Sequence, residues 1–246
     1  MSAAEFIVQP DRDAVAEAAA DWLITSARSA LEQRGVFRVA LSGGSTPKAV
    51  YPLLTAEPRV GKVDWSRVEF FWGDDRSVPP DDPESNYGVA HELLISRLPG
   101  VRSERVHRMP SDAVDRDAAA LAYEGELRDV FKPIDGALPA FDLIWLGMGP
   151  DGHTASLFPG SQALDVTDRW VVPNWAPELA TWRMTFTFPL IDAARQVLFV
   201  VCGADKAAAL ADVRGDDSQL PAARVHAERT AWLIDADAAR RTAGSA

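Results

Sequence analysis

The 246-residue chain has one cysteine, four histidines and a shortage of cations, with 25 Lys and Arg against 36 Asp and Glu. A lone cysteine excludes an internal disulfide, and Cys202 lies in the apolar run VLFVVCG, which points to a buried, inert thiol in a reducing compartment. His91, His107, His153 and His226 show neither HxxxH nor HExxH spacing, so no zinc site is expected and no metal or other cofactor is implied. No GxSxG elbow occurs, which disfavours a covalent serine mechanism. The formal net charge of -11 argues against a nucleic-acid or anionic-membrane surface, because both need clustered Lys and Arg. No apolar stretch approaches the roughly 20 residues that span a bilayer. The start, MSAAEFIVQP, lacks the basic and apolar regions of a signal peptide. A cytoplasmic protein is expected, with no obligate protein partner evident.

An acidic chain can still bind a phosphorylated small molecule. Exposed charges are screened over about 8 Å at physiological salt, so a few local cations and backbone amides suffice. With 47% hydrophobic residues the chain can bury a substantial core, and residues 1–246 read as one domain. Apolar runs rich in Val, Ile and Phe alternate with Ala-rich stretches of helical period. This is the βαβ pattern of a single-domain, Rossmann-like α/β fold, a mostly parallel sheet flanked by helices. Strands are expected at 5–9, 36–41, 68–72, 141–148, 170–173, 183–188, 197–202 and 230–235. Helices are expected at 11–34, 47–56, 86–98, 115–131 and 205–214, the first capped by Asp11 or Asp13 and stopped by Gly35. The segment VPPDDPESN, 78–86, reads as a loop.

Ligands of such sheets bind beyond the carboxyl ends of the strands. Three of these ends carry chemistry. In LSGGSTPK, Gly43 and Gly44 let the backbone approach a ligand, Ser42, Ser45 and Thr46 add donors, and Pro47 suits the first turn of a helix. The segment is either a phosphate-holding helix N-terminus or an ordinary capped turn, and it is not the GxxxxGK[ST] loop of nucleotide sites. In FFWGDDRSVPP an apolar strand ends in Asp74, Asp75 and Arg76. Adjacent acids there are costly unless they pair or act, and Arg76 can neutralise one; a solvated turn with a local salt bridge is the alternative. In FDLIWLGMGPDGHTASLFPG a glycine-rich loop delivers Asp151 and His153 together, and a nearby acid can fix the tautomer of a histidine base.

Residues 147–152 spell GxGxxG, but Pro150 and Asp151 fill its centre and the carboxylate would face a pyrophosphate. The next strand ends VVPN, without the acid a dinucleotide site expects there. Two late cations complete the set. Arg183 precedes the strand MTFTF, and Lys206 opens a helix in CGADKAAAL; with the first loop they can form a phosphate clamp of planar fork and point charge.

Taken in order, LSGGSTP, GDDRSVPPDDPESNYG, LGMGPDGHTASLFPG, WRMTFT and GADKAAAL resemble the glucosamine-6-phosphate isomerase/6-phosphogluconolactonase family over nearly the whole chain. The resemblance implies a fold shared with glucosamine-6-phosphate deaminases and a sugar-phosphate lactone as substrate. It implies hydrolysis of 6-phospho-D-glucono-1,5-lactone in the oxidative pentose phosphate pathway. The loop Ser42, Gly43, Gly44, Ser45, Thr46 would hold the phosphate with Arg183 and Lys206. His153 would activate water, held by Asp151 or Asp74, with Arg76 nearby. Deaminases carry a glutamate five residues after the histidine, where this chain has Phe158, which favours the lactonase branch. Lactonases commonly read Asp-Glu-Arg at 74–76, so the role of Asp75 stays open.

Overall fold

The computed structural model describes residues 4–134, 136–215 and 217–240. Strand β1 (Glu5–Gln9) leads into α1 (Arg12–Arg34), where the Asp11 carboxylate accepts the Ala14 amide at 2.8 Å and Gly35 ends the helix at φ 76°. Small side chains along one face of α1, among them Ala19, Ala20, Ala27 and Ala30, are fully buried and let it lie close on the sheet. Next come β2 (Phe37–Leu41), α2 (Ser45–Thr55), β3 (Val68–Trp72) and β4 (Asp74–Arg76). Helices α3 (Asn86–Leu93) and α4 (Arg116–Phe131) precede β5 (Leu143–Leu146). The antiparallel pair β6 (Val171–Ala176) and β7 (Thr181–Phe186) follows, then α5 (Phe188–Asp192), β8 (Gln196–Val201), α6 (Ala207–Val213) and β9 (Arg229–Asp235).

Six strands form a sheet of order β1-β9-β8-β5-β2-β3, every neighbouring pair parallel. Its two faces bury separate cores, and the side chains alternate between them along each strand. Val39, Trp72, Trp145 and Leu233 pack under α1, α2 and α3, while Ala40, Phe71, Ile144 and Trp232 pack toward α4, α6 and the strands β6 and β7. The order reverses between β2 and β5. From β2 the chain crosses outward to β3, and from β5 it crosses the other way to β8 and β9, so a crevice opens at the carboxyl ends of β2 and β5.

The parallel α/β architecture is the expected one, but three strands lie outside that sheet. A three-stranded antiparallel sheet of order β4-β7-β6 folds beside it, and Asp74–Arg76, read from sequence as a charged turn, is its edge strand β4. Gly73 makes the transition: its amide donates to the Leu41 carbonyl and its carbonyl accepts from Phe186, so the chain leaves one sheet and enters the other within one residue. Arg183 lies inside β7, which begins two residues before the expected strand 183–188 and ends two residues earlier. Helix α3 also stops earlier than the expected residue 98. Leu94 leaves helical geometry at φ -127°, and a 3₁₀ turn at Ile95–Arg97 carries the chain to Pro99.

His107, in the segment between α3 and α4, is sandwiched between two carboxylates. Its Nδ1 lies 2.6 Å from Glu126 and its Nε2 2.7 Å from Glu69, with the ring stacked on Phe71 at 4.5 Å. Burial opposes the charge, but the two acids outweigh it and raise the pKa to about 8. A raised histidine contributes stability that is complete below its unfolded value near 6.5 and lost as pH rises through 8. Thermal melts should therefore show roughly 2 kcal/mol lost across that window. His107→Gln removes the pH dependence; an unchanged slope in that variant assigns it elsewhere.

Candidate active site

Most of the residues that the sequence marked for chemistry come to one place, Asp75 and Lys48 being outside it. The 42–46 loop after β2, Asp74 and Arg76 of β4, His153, Arg183 of β7 and Lys206 line one cleft of about 250 Å³ at the crevice between β2 and β5. Asp151 stands behind His153. The cleft gathers chain from 164 residues of sequence separation between Ser42 and Lys206, because each contributor ends a strand or crosses the small sheet.

The first loop is shaped by two contacts. Tyr51, buried in α2, donates its hydroxyl to the Ser42 carbonyl at 2.6 Å. Gly43 lies against Asn86: a Cβ there would sit 1.8 Å from Asn86 Oδ1, so only glycine lets loop and side chain meet. Gly44, at φ 100°, caps α2 and has open space beside it. The first turn of α2 thus presents its free amides to the cleft, which is how helix termini receive anions.

The histidine loop is fixed with equal economy. His153 Nδ1 lies 2.6 Å from Asp151 Oδ1, and a carboxylate only accepts, so Nδ1 carries the proton and Nε2 is left as the basic nitrogen. The same oxygen accepts the His153 amide at 3.2 Å. Of the acids considered from sequence, Asp74, Asp75 and Asp151, the one hydrogen-bonded to His153 is Asp151. The face of Gly149 meets the imidazole, where a Cβ would lie 2.2 Å from the ring, and Phe158 packs against it with ring centroids 4.6 Å apart. Gly149→Ala must push the imidazole aside without straining the backbone. The expected outcome is a kcat about 10² lower with unchanged circular dichroism.

Asp74 instead ties three elements together. Its Oδ2 accepts from Ser156 Oγ at 2.6 Å, and its carbonyl accepts from Asn86 Nδ2 at 2.9 Å, all three residues being buried. Asp75, left open by the sequence, is structural. It points away from the cleft and accepts the backbone amides of Arg76, Asn86 and Tyr87 at 2.8, 2.7 and 3.1 Å, holding the start of α3 against β4. Burial pushes its pKa up to about 6 against the pull of those amides.

The cations differ from expectation in one respect. Arg76 neutralises neither neighbouring acid by an ion pair among the described residues; its Nη1 donates to the Glu84 carbonyl at 2.6 Å. It faces Arg183 directly across β4 and β7, and Nε of both guanidiniums is buried without a partner among the described residues. Burial and then the charge of Arg76 lower the Arg183 pKa. Lys206 closes a 3₁₀ turn, Ala204–Lys206, ahead of α6 and pairs with Asp205 at 2.9 Å. Lys48 lies outside the main cleft, in an adjoining hollow shared with Gly43, Gly44 and Arg76.

Asn86, Ser156 and Cys202 were not singled out as site residues. Asn86 was legible only as the residue after a Ser cap, and Ser156 only as part of the histidine loop. Cys202 does line the cleft, buried as expected, with burial raising its pKa to about 11.

A parallel α/β protein with an amide-lined loop, unneutralised guanidiniums and a His-Asp pair at its switch point belongs to the class that binds small anionic substrates. Comparison with known proteins gives the family. Residues 10–233 match the model of glucosamine-6-phosphate isomerases/6-phosphogluconolactonase. A 6-phosphogluconolactonase of Nostoc sp. is 39% identical over 94% of this chain and 95% of its own, and that of Streptomyces coelicolor is 38% identical over 96% and 93%. The solved 6-phosphogluconolactonase of Trypanosoma cruzi superposes with TM-score 0.86 at 28% identity, covering 99% of this chain and 98% of that one. A monomeric glucosamine-6-phosphate deaminase, at 19% identity and TM-score 0.79, shares the fold. The chain belongs to the glucosamine-6-phosphate isomerase/6-phosphogluconolactonase family.

Proposed function

We propose that the cleft hydrolyses 6-phospho-D-glucono-1,5-lactone to 6-phospho-D-gluconate, the lactonase step of the oxidative pentose phosphate pathway, as one domain working in the cytoplasm. The observation that carries the reading is the meeting of the Asp151–His153 pair with an anion-binding loop and Arg183 in one cleft. Phosphate binds at the 42–46 loop, Arg183 and Lys206. A contact to a group that does not react fixes the ring, so that its carbonyl faces His153.

His153 Nε2 takes a proton from water as the water oxygen attacks the lactone carbonyl. The oxyanion is met by the Arg76 guanidinium, which lines the cleft. When the tetrahedral intermediate collapses, the bond to the ring oxygen breaks and His153 returns the proton to that oxygen, leaving the free acid and an open chain. Asp151 holds the imidazole in the tautomer this requires. No step asks for a metal or cofactor, and no described helix is long and apolar enough to cross a membrane.

Amino-sugar isomerisation is the rival within the family. Phe158 argues against it, because an apolar ring packed on His153 supplies no further acid or base there. The test generates the lactone in situ with glucose-6-phosphate dehydrogenase and follows acid release. Acceleration above spontaneous hydrolysis is expected. A folded protein that gives none, but releases ammonia from glucosamine 6-phosphate, overturns the lactonase reading.

A further inference from the structure

We infer that Arg12, at the start of α1, is a positioning residue of the phosphate site that acts through Ser45. Its Nη2 donates to Ser45 Oγ at 2.8 Å, across 33 residues of sequence, and Ser45 is the first residue of α2 and lines the cleft. A serine hydroxyl has one proton to donate and lone pairs to accept with. Arg12 occupies the accepting side, so the O–H is turned to another acceptor. The hydroxyl donates to no protein group among the described residues, and the cleft it lines is where a phosphate oxygen would take that proton.

Charge supports the same assignment. Arg12 forms no ion pair among the described residues, whereas Lys206 shares its charge with Asp205 at 2.9 Å. The Arg12 charge also reaches the far side of the loop, where it favours the ionised forms of Cys202 and Asp205. A hydroxyl that accepts from a guanidinium is polarised and becomes a better donor to an anion. The N-terminal helix thereby takes part in substrate binding, although none of its residues lines the cleft.

The inference rests on the sugar-phosphate reading, and the test separates the two. Calorimetry with 6-phosphogluconate is run on the wild type, Arg12→Ala, Ser45→Ala and the double variant, beside steady-state kinetics. In Arg12→Ala the dissociation constant and KM should rise about tenfold, the size of one polarised hydrogen bond, with kcat within about twofold. Ser45→Ala should weaken binding similarly, and adding Arg12→Ala to it should cost nothing more, because the effect runs through that hydroxyl. Arg12→Lys, which keeps the charge and one donor, should recover part of the loss. Unchanged binding in Arg12→Ala, or losses that add in the double variant, overturn the assignment while leaving the lactonase reading intact. A folded wild type that does not bind the product overturns both.

Discussion

His153→Ala lowers kcat for the phosphorylated lactone by about 10³, inside the 10² to 10⁴ that a positioned general base contributes, and leaves product affinity within about threefold. The separation follows from the layout of the cleft. The imidazole comes from the loop after β5, while the proposed anion contacts come from the loop after β2, from β7 and from the turn before α6. Removing the ring therefore withdraws the proton acceptor without touching the phosphate. Asp151→Asn should give a smaller loss of kcat, because the amide keeps the shape but no longer obliges Nδ1 to carry the proton. Stopped assays of acid release, corrected for spontaneous hydrolysis, check both variants. If His153→Ala turns over like the wild type, the base lies elsewhere in the cleft.

The parts of the molecule that the sequence disclosed are those whose physics is local. Fully buried parallel strands must be apolar on both faces, so FFW, LIWL and VLFVV announce themselves, and Asp11 and Gly35 bound α1 where a cap and a left-handed residue are required. Strand β4 was invisible for the opposite reason. Its residues are Asp74, Asp75 and Arg76, and a strand that faces a cleft on one side and a helix start on the other carries none of the apolar alternation by which strands are recognised. With β4 missed, the antiparallel sheet was missed too, and β6 and β7 were read as members of the main sheet.

The candidate site divides along the same line. Residue types that do chemistry were legible in their loops, but their mutual arrangement was not. Nothing in GDDR says that the first acid joins Ser156 while the second holds the start of a helix eleven residues on. The partner of His153 was one of three acids until geometry placed Asp151 at 2.6 Å. Asn86 became visible only through Gly43, since the glycine is explained by the side chain that fills its place. Contacts made at a distance in sequence leave no local signature beyond such missing atoms.

Arg183→Met should weaken product binding about 100-fold and, at the same time, raise thermal stability. The antiparallel register sets Arg183 opposite Arg76, and like charges directly opposed across strands are destabilising. Neither guanidinium has a carboxylate partner within ion-pair distance among the described residues, and both bury an unpartnered Nε. Asp74, Asp75 and Glu84 offset the repulsion in part, yet burial and Arg76 together still lower the Arg183 pKa. In the proposed reaction the countercharge of these two cations comes from the substrate, phosphate at Arg183 and the developing oxyanion at Arg76. A methionine keeps the packing of the stem and removes the repulsion, which is worth up to about 1 kcal/mol, or roughly 2–4 °C in melting temperature for a chain of this size. It also removes a charge-assisted fork worth about 3 kcal/mol to a bound phosphate. Melting curves with and without 6-phosphogluconate read both effects, because a ligand raises Tm only as far as it binds the native state. The wild type should start lower and climb with product; the variant should start higher and stay there. A variant that melts earlier and still climbs would make Arg183 a support of the fold and move the phosphate to the loop and Lys206 alone.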